Sequence, residues 1–277
     1  MSEWNDSQNA MLQYYDGDYP SGEHGQVPGN FDEVTRYQGL MHDVARYREL
    51  VKETRGPVLE LCCGTGRVAI PLARDGHHVT GVDLSKELLR QFRGNVERTD
   101  PSLHDRIMLV EQDVTRLAIE KKKFRTAIIA FNSLLCIPKF EDQQRVLRNV
   151  FEHLADDGVF VLDIVSPLKL PVHGDPVAKA FFTRKSPHTG NRYTRFAMLD
   201  PFDERHMQRL HGWYDEILPD GTVRRSLYAT YWRPIYRFEI ELMLQRAGFA
   251  IVSLEGGHLK ETYTAQSSRM FIQARKG

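Results

Sequence analysis

The sequence of 277 residues lacks a long apolar run. A membrane helix needs about 18 consecutive apolar residues, and no segment approaches that length. The polar start, MSEWNDSQNA, also lacks the basic and then apolar order of a secretory signal. We therefore expect a cytoplasmic protein that has no membrane partner.

The sequence also lacks an excess charge of either sign. Lysine plus arginine total 37, and aspartate plus glutamate total 37, so no global field attracts nucleic acid. No basic stripe is present either. These absences favour a small-molecule substrate over a nucleic acid, and they leave a homodimer open.

Cysteine is scarce, with Cys62, Cys63 and Cys136 the three in the chain. An odd number, two of them adjacent, is typical of reduced thiols and excludes a disulfide framework. No CxxC or HExxH spacing occurs, so we expect no metal site.

Strands and helices alternate from residue 57 to residue 165, apart from the third and fourth strands, which have no predicted helix between them. Apolar strands are predicted in PVLELC, HHVTGVDL, RIMLVEQD, FRTAIIAFN and VFVLDIV, and helices in RVAIPLARDG, SKELLRQFRGNVER and FEDQQRVLRNVFEHLADDG. This alternation predicts an α/β protein with a Rossmann-like, doubly wound, mostly parallel seven-stranded sheet. The helix RFEIELMLQRAG and the strands FAIVSLEG and RMFIQARK would complete the sheet.

Both ends of this core carry additional segments. Residues 1–30 are too polar and too rich in turn residues for a regular element, so we expect an arm or lid, followed by one or two helices over 31–52. After Ser166 a proline-rich stretch without helical periodicity precedes strand candidates joined by a PDG turn. We divide the chain into an N-terminal arm and helical lid (1–55), a core (56–166), an inserted small antiparallel β subdomain (167–233) and a closing helix and strand pair (234–277).

The segment VLELCCGTGR predicts a ligand site. A turn of small residues between a buried strand and a helix allows a ligand to approach the backbone, and an acid ending the next strand, Asp83, can accept both ribose hydroxyls. GTGRVA also matches the dinucleotide fingerprint. Because Glu60 would repel a pyrophosphate but can hold an ammonium, the charges favour S-adenosylmethionine (SAM) over NAD(P).

The segments VLELCCGTGR, VTGVDLS, VEQDV and GVFVLDI, in this order, resemble the motifs of class I SAM-dependent methyltransferases. The resemblance covers residues 56–165 and extends, by topology alone, to small-molecule N-methyltransferases with a β insertion. One departure is Cys62, which stands where this family usually has a glycine. The residues that the resemblance assigns to SAM are Glu60, Gly64, Thr65, Gly66, Asp83, Leu84, Asp113, Val114 and Phe131.

Methyl transfer from a sulfonium is an in-line displacement, for which alignment of donor and acceptor is the main requirement. As residues that act on the acceptor we predict Tyr14 and Tyr37 in the lid, and Asn132 and Asp163 at the ends of two core strands. An amine nitrogen is favoured slightly over a hydroxyl oxygen as the acceptor. Two alternatives stay open: an NAD(P)-dependent oxidoreductase, and a SAM-binding protein without catalytic activity.

Overall fold

The structure is a computed structural model that describes residues 4–20, 40, 42–119 and 124–277, with side chains from residue 10 onward. Its helices are α1 (Trp4–Asp18), α2 (Asp43–Thr54), α3 (Ala69–Arg74), α4 (Lys86–Thr99), α5 (Phe140–His153) and α6 (Arg237–Arg246). Its strands are β1 (Val58–Leu61), β2 (Val79–Asp83), β3 (Ile107–Glu111), β4 (Phe124–Ile129), β5 (Leu154–Val165), β6 (Asp175–Lys185), β7 (Arg192–Leu199), β8 (Gln208–Ile217), β9 (Val223–Trp232), β10 (Phe249–Glu255) and β11 (Arg269–Lys276). No helix within these ranges is long and apolar enough to cross a membrane.

Seven strands form the central sheet in the order β10-β11-β5-β4-β1-β2-β3. Strands β1 to β5 pair in parallel, whereas β11 runs antiparallel to both β5 and β10. Apolar side chains cover both faces, with Leu59 and Leu61 in one core cluster and Val58 in the other. The predicted Rossmann-like, mostly parallel seven-stranded sheet is confirmed.

A separate four-stranded antiparallel sheet, β6-β7-β8-β9, follows the core. Three of its strands match the predicted segments, and a turn at 219–221 joins β8 to β9. We did not predict β6, because its residues are mostly exposed and include Pro176. Proline is tolerated there because β6 is an edge strand, whose outward N–H groups need no ladder partner.

Two other expectations were wrong. Residues 4–18 form a regular helix, α1, although the sequence there is polar. The packing of α1 against the four-stranded sheet and against the turn after β1 stabilises this helix, which has little intrinsic helix propensity. The helix predicted through Gly158 ends at His153, and Leu154, which lies within the predicted helical segment, begins β5 opposite Phe124. Leu154 would be buried in the apolar core as part of either a helix or a strand, so its hydrophobicity does not distinguish the two.

Candidate functional site

The turn after β1 bends sharply away from the sheet. Cys62 has φ 58°, Gly64 has φ 54° and Gly66 has φ 89°, all in the left-handed region. Glycine adopts this region without the steric penalty that a Cβ introduces. Cys62 therefore occupies a conformation that glycine adopts more easily, which explains why a glycine is usual at this position. The backbone N–H of Cys63 donates to the carbonyl of Val82 (3.1 Å) and holds the turn against β2.

Glu60 is a buried carboxyl on β1. Residues alternate along a strand, so Glu60 shares its face with Val58, where an apolar side chain would normally pack. Glu60 is 2% exposed, and its Oε2 atom has no hydrogen-bond partner among the described residues. Burial raises the pKa of Glu60 to about 8, although Arg67 nearby opposes the rise. A buried carboxylate oxygen without a partner fits a cationic ligand group such as an ammonium.

Asp83, at the end of β2, joins the glycine turn to the next loop. Its Oδ2 accepts a hydrogen bond from the Gly64 N–H (2.8 Å), and its Oδ1 accepts one from Ser85 N–H (2.9 Å). An ionised carboxylate has about four acceptor positions, so positions remain for the hydroxyls of a ribose.

Leu84 follows Asp83 directly and is 68% exposed. Thr65 is buried, and its carbonyl accepts from Asn95 Nδ2 (2.9 Å).

Asp113 and Val114 lie beyond the end of β3, beside the end of β2. The backbone N–H of Gln112 donates to the carbonyl of Asp83 (3.0 Å), which places the two loops side by side. Asp113 Oδ1 accepts from the Thr115 N–H (2.8 Å), and Val114 is buried. Their contact with adenine stays a prediction.

Shortly after the end of β4 come two successive residues with strained backbones, Phe131 (φ 44°) and Asn132 (φ 68°). Such conformations persist only where surrounding contacts hold them, and they are concentrated at functional sites. Asn132 supplies those contacts: its N–H donates to the Asp163 carbonyl (2.9 Å), and its Oδ1 accepts from the Val165 N–H (2.7 Å) and from Arg269 Nη2 (3.1 Å). These contacts favour a role for Asn132 in positioning Phe131 over contact with an acceptor.

Asp163 on β5 is fully buried within a polar cluster. Its Oδ1 accepts from Arg269 Nε (2.6 Å), and its Oδ2 lies 3.0 Å from both the Tyr47 hydroxyl and His258 Nε2. The charges of Arg269 and the hydrogen bonds hold the pKa of Asp163 well below its usual range, against the effect of burial. A carboxylate so strongly stabilised in its ionised form is a weak base, so this geometry favours a structural role.

Tyr14 does not lie over the glycine turn. It is buried against the four-stranded sheet, where its hydroxyl donates to Glu216 Oε2 (2.7 Å) and its ring stacks on Tyr214. Burial and Glu216 raise its pKa to about 12. Neighbouring helix positions differ by about 100° in direction, so Tyr15 points to the core instead. The predicted action of Tyr14 on the acceptor does not fit this arrangement, and Tyr37 lies outside the described residues.

Tyr15 and Tyr19 are the arm tyrosines that reach the glycine turn. A Cβ atom added to Gly64 would lie 2.9 Å from the Tyr15 hydroxyl. The ring of Tyr19 lies 4.8 Å from that of Tyr15 and 5.5 Å from that of Phe131, measured between centroids. The sequence placed both tyrosines in the arm, and the helical geometry of α1 selects them over Tyr14.

No sequence pattern predicted that the following side chains would lie near this turn. Arg67 Nη1 lies 2.6 Å from Asp43 Oδ2, and both residues are buried. Cys136 has an exposed side chain, and its charge would raise the pKa values of Tyr15, Tyr19 and Cys62. Because Cys136 comes from the turn after β4, its proximity to these residues arises only from tertiary packing.

Gly64→Val provides a test of the glycine turn. We expect it to weaken SAM binding by about tenfold or more, because valine is strained at φ 54° and its Cβ meets the Tyr15 hydroxyl. Isothermal titration calorimetry measures the effect. Gly190→Val is the matched control, since Gly190 has φ 74° but no atom within 4 Å of an added Cβ. Unchanged SAM affinity in Gly64→Val would contradict this placement of the donor.

The sequence of this chain is similar to those of known methyltransferases. Residues 58–158 match the family model described as "Methyltransferase domain". The cypemycin N-terminal methyltransferase of a Streptomyces species is 25% identical over 234 residues, which span 84% of this chain and 87% of that protein.

Two solved structures share the fold. The CcbJ methyltransferase from Streptomyces caelestis superposes with a TM-score of 0.76 at 21% identity, covering 99% of this chain and 100% of that chain. The SAM-bound amino pentose methyltransferase CalS10 from Micromonospora echinaspora superposes with a TM-score of 0.66 at 18% identity, covering 89% and 98%.

Proposed function

We propose that this chain, which is a class I SAM-dependent methyltransferase, methylates an amine nitrogen of a small molecule. The observation that carries the choice of an amine is the chemistry of the side chains beside the glycine turn. The tyrosine hydroxyls and cysteine thiols among them stay neutral at physiological pH.

The donor fits the residues at the turn. SAM supplies, when bound, a methyl group on a positively charged sulfur. Glu60 would hold the ammonium of its amino-acid portion, because the Oε2 atom is buried without a partner. Asp83 would hold the ribose with the acceptor positions that the Gly64 and Ser85 N–H groups leave open.

An amine acceptor places fewer demands on these residues than a hydroxyl does. A hydroxyl needs a base to remove its proton, whereas an amine that arrives neutral needs none. Burial raises the pKa values of Tyr15, Tyr19 and Cys62, so none of these three ionises near neutral pH. Asp163 is ionised but committed to Arg269.

The aromatic faces also suit the charge of the product. Transfer to a neutral amine creates a cationic nitrogen, and tyrosine and phenylalanine rings attract such a cation. Tyr19 and Phe131 meet edge to face beside the turn. Two of the similar proteins support the same choice: by their names, one acts on an N-terminus and the other is an amino pentose methyltransferase.

A matched pair of acceptors tests the proposal. We expect transfer of an isotopically labelled methyl group from SAM to amino sugars, and none to the same sugars with a hydroxyl in place of the amine. The kcat/KM for the amine should rise with pH up to the pKa of that amine, because only its neutral form has a free lone pair. Mass spectrometry of the products measures the transfer. Methylation of the hydroxyl sugars alone would contradict the proposal.

A thermal-shift experiment separates the proposal from the two alternatives. An NAD(P)-dependent oxidoreductase would be stabilised by NADH, whereas we expect stabilisation by SAM and its demethylated product alone. A SAM-binding protein without activity would show the same shift but transfer no label to any metabolite in an extract.

A further inference from the structure

The last turn of α1 is fixed by the four-stranded sheet. The Asp18 carboxylate accepts hydrogen bonds from the hydroxyls of Tyr214 (2.6 Å) and Tyr193 (3.1 Å) and from Arg195 Nη1 (2.9 Å). Arg184 adds two bonds from its Nη1, to the carbonyls of Gly17 (2.8 Å) and Asp18 (2.7 Å). These contacts make the sheet the main anchor of the C-terminal end of α1.

Two other side chains of the same turn, those of Tyr15 and Tyr19, lie over the donor site. Tyr15 covers Gly64, and Tyr19 contacts both Tyr15 and Phe131. Asp18 and Tyr19 are adjacent in sequence, so a shift of Asp18 relative to the sheet moves Tyr19 relative to the glycine turn. The position of the two tyrosines thus depends on the contacts of Asp18.

Arg195 is the central cation of these contacts. It is 3% exposed, its Nε donates to the Tyr228 hydroxyl (3.0 Å), and its guanidinium lies 4.5 Å from the Tyr228 ring centroid. Burial raises the pKa of Asp18, while Arg195 and the tyrosine hydroxyls lower it. Removal of Arg195 alone would therefore leave a buried carboxylate without its counter-charge, which destabilises a fold strongly.

We propose that Arg195 is a positioning residue that acts through Asp18, and through its own contact with Tyr19, to hold Tyr15 and Tyr19 over the donor turn and so slows the dissociation of SAM. Arg195 belongs to β7 of the inserted sheet, so the packing of that sheet sets how firmly the donor is retained. This role rests on the proposed function only in placing SAM at the glycine turn.

The experiment measures the dissociation rate of SAM by stopped flow in the full chain. Because we expect Arg195→Gln alone to destabilise the fold, the informative variant is Arg195→Gln with Asp18→Asn, which removes both charges and keeps a polar side chain at each position. We expect its dissociation rate to rise about tenfold while its thermal midpoint stays near that of the wild type. The single variant should show both a faster dissociation and a lower midpoint.

Arg225→Gln is the matched control. Arg225 belongs to β9 of the same sheet and pairs with Asp215 (Nε to Oδ1, 2.7 Å), but at an exposed position. Its dissociation rate should equal that of the wild type. A wild-type dissociation rate in the folded double variant would overturn the role of Arg195. The binding experiment uses no acceptor, so a wrong choice of amine leaves its result unaffected, and a wrong role for Arg195 leaves the acceptor assay unaffected.

Discussion

Asp83→Ala is expected to weaken SAM binding about a hundredfold. A hydrogen bond to a charged group contributes about 1.5 to 3 kcal/mol, and the carboxylate would supply two such bonds to the ribose. Alanine also removes the acceptors for the N–H groups of Gly64 and Ser85, so the turn itself loses support. Calorimetric titration with SAM measures the loss.

Two variants control for this effect. Asp83→Asn keeps one carbonyl acceptor, so its affinity should lie between those of the wild type and Asp83→Ala. Asp100→Ala removes another carboxylate that accepts a backbone N–H, from Ser102 (3.1 Å), before the start of β3 and so at the other edge of the sheet. It should bind SAM as the wild type does. Equal affinities of Asp83→Ala and the wild type would show that the ribose lies elsewhere.

Glu60→Gln is expected to weaken SAM binding at pH 8 by about a hundredfold, because the amide offers no charge to the ammonium. It should also abolish part of the pH dependence of binding. In the ligand-free protein the Glu60 carboxyl, with its pKa raised to about 8, is protonated at neutral pH. Pairing with an ammonium requires the ionised form, so binding releases a proton, and wild-type affinity rises with pH up to about 8.

Calorimetry in buffers of different ionisation enthalpy measures this proton release. The ammonium of SAM titrates equally with both proteins, so the difference between wild type and Glu60→Gln isolates the carboxyl. Glu97→Gln, which alters an exposed carboxylate on α4, should leave both affinity and proton release unchanged. Identical proton release by wild type and Glu60→Gln would exclude Glu60 as the partner of the ammonium.

Glu60→Gln should also stabilise the ligand-free protein. The folded-state pKa of Glu60 lies above the ordinary value of 4.5, so the unfolded chain ionises first as pH rises. The free energy of unfolding therefore falls as the pH rises from about 4.5 to about 8, and it changes no further through this group above that range. Glutamine carries no such penalty, so the thermal midpoint of ligand-free Glu60→Gln should exceed that of the wild type at pH 8 and approach it near pH 4.5.

The strand ends that form the donor site follow from local sequence. Glu60 lies one residue before the end of β1, Asp83 ends β2, and Ser85 precedes a helical pattern and accepts from the Leu88 N–H (3.2 Å) as its N-cap. In a parallel sheet the carboxyl ends of neighbouring strands lie at one edge, so these acids had to meet. Their roles toward SAM stay predictions, but their proximity was determined by periodicity alone.

The residues that pair with Asp163 could not be predicted from local sequence patterns. His258 and Arg269 come from the loop after β10 and from β11, about a hundred residues further along the chain. No local pattern encodes which distant cation reaches a strand end. The sequence could place Asp163 at the sheet edge, but it could not distinguish a free base from a paired carboxylate.

By itself, the sequence determined the alternation of strands and helices, the central parallel sheet and the acids at its carboxyl edge, because apolar periodicity and turn residues act locally. Tertiary structure alone decided that the polar segment before Asp18 is a helix, and that Tyr15 rather than Tyr14 lies over the glycine turn. Both outcomes depend on Asp18 and its partners in a sheet far along the chain, whose buried charges and hydroxyls fix the helix in one orientation.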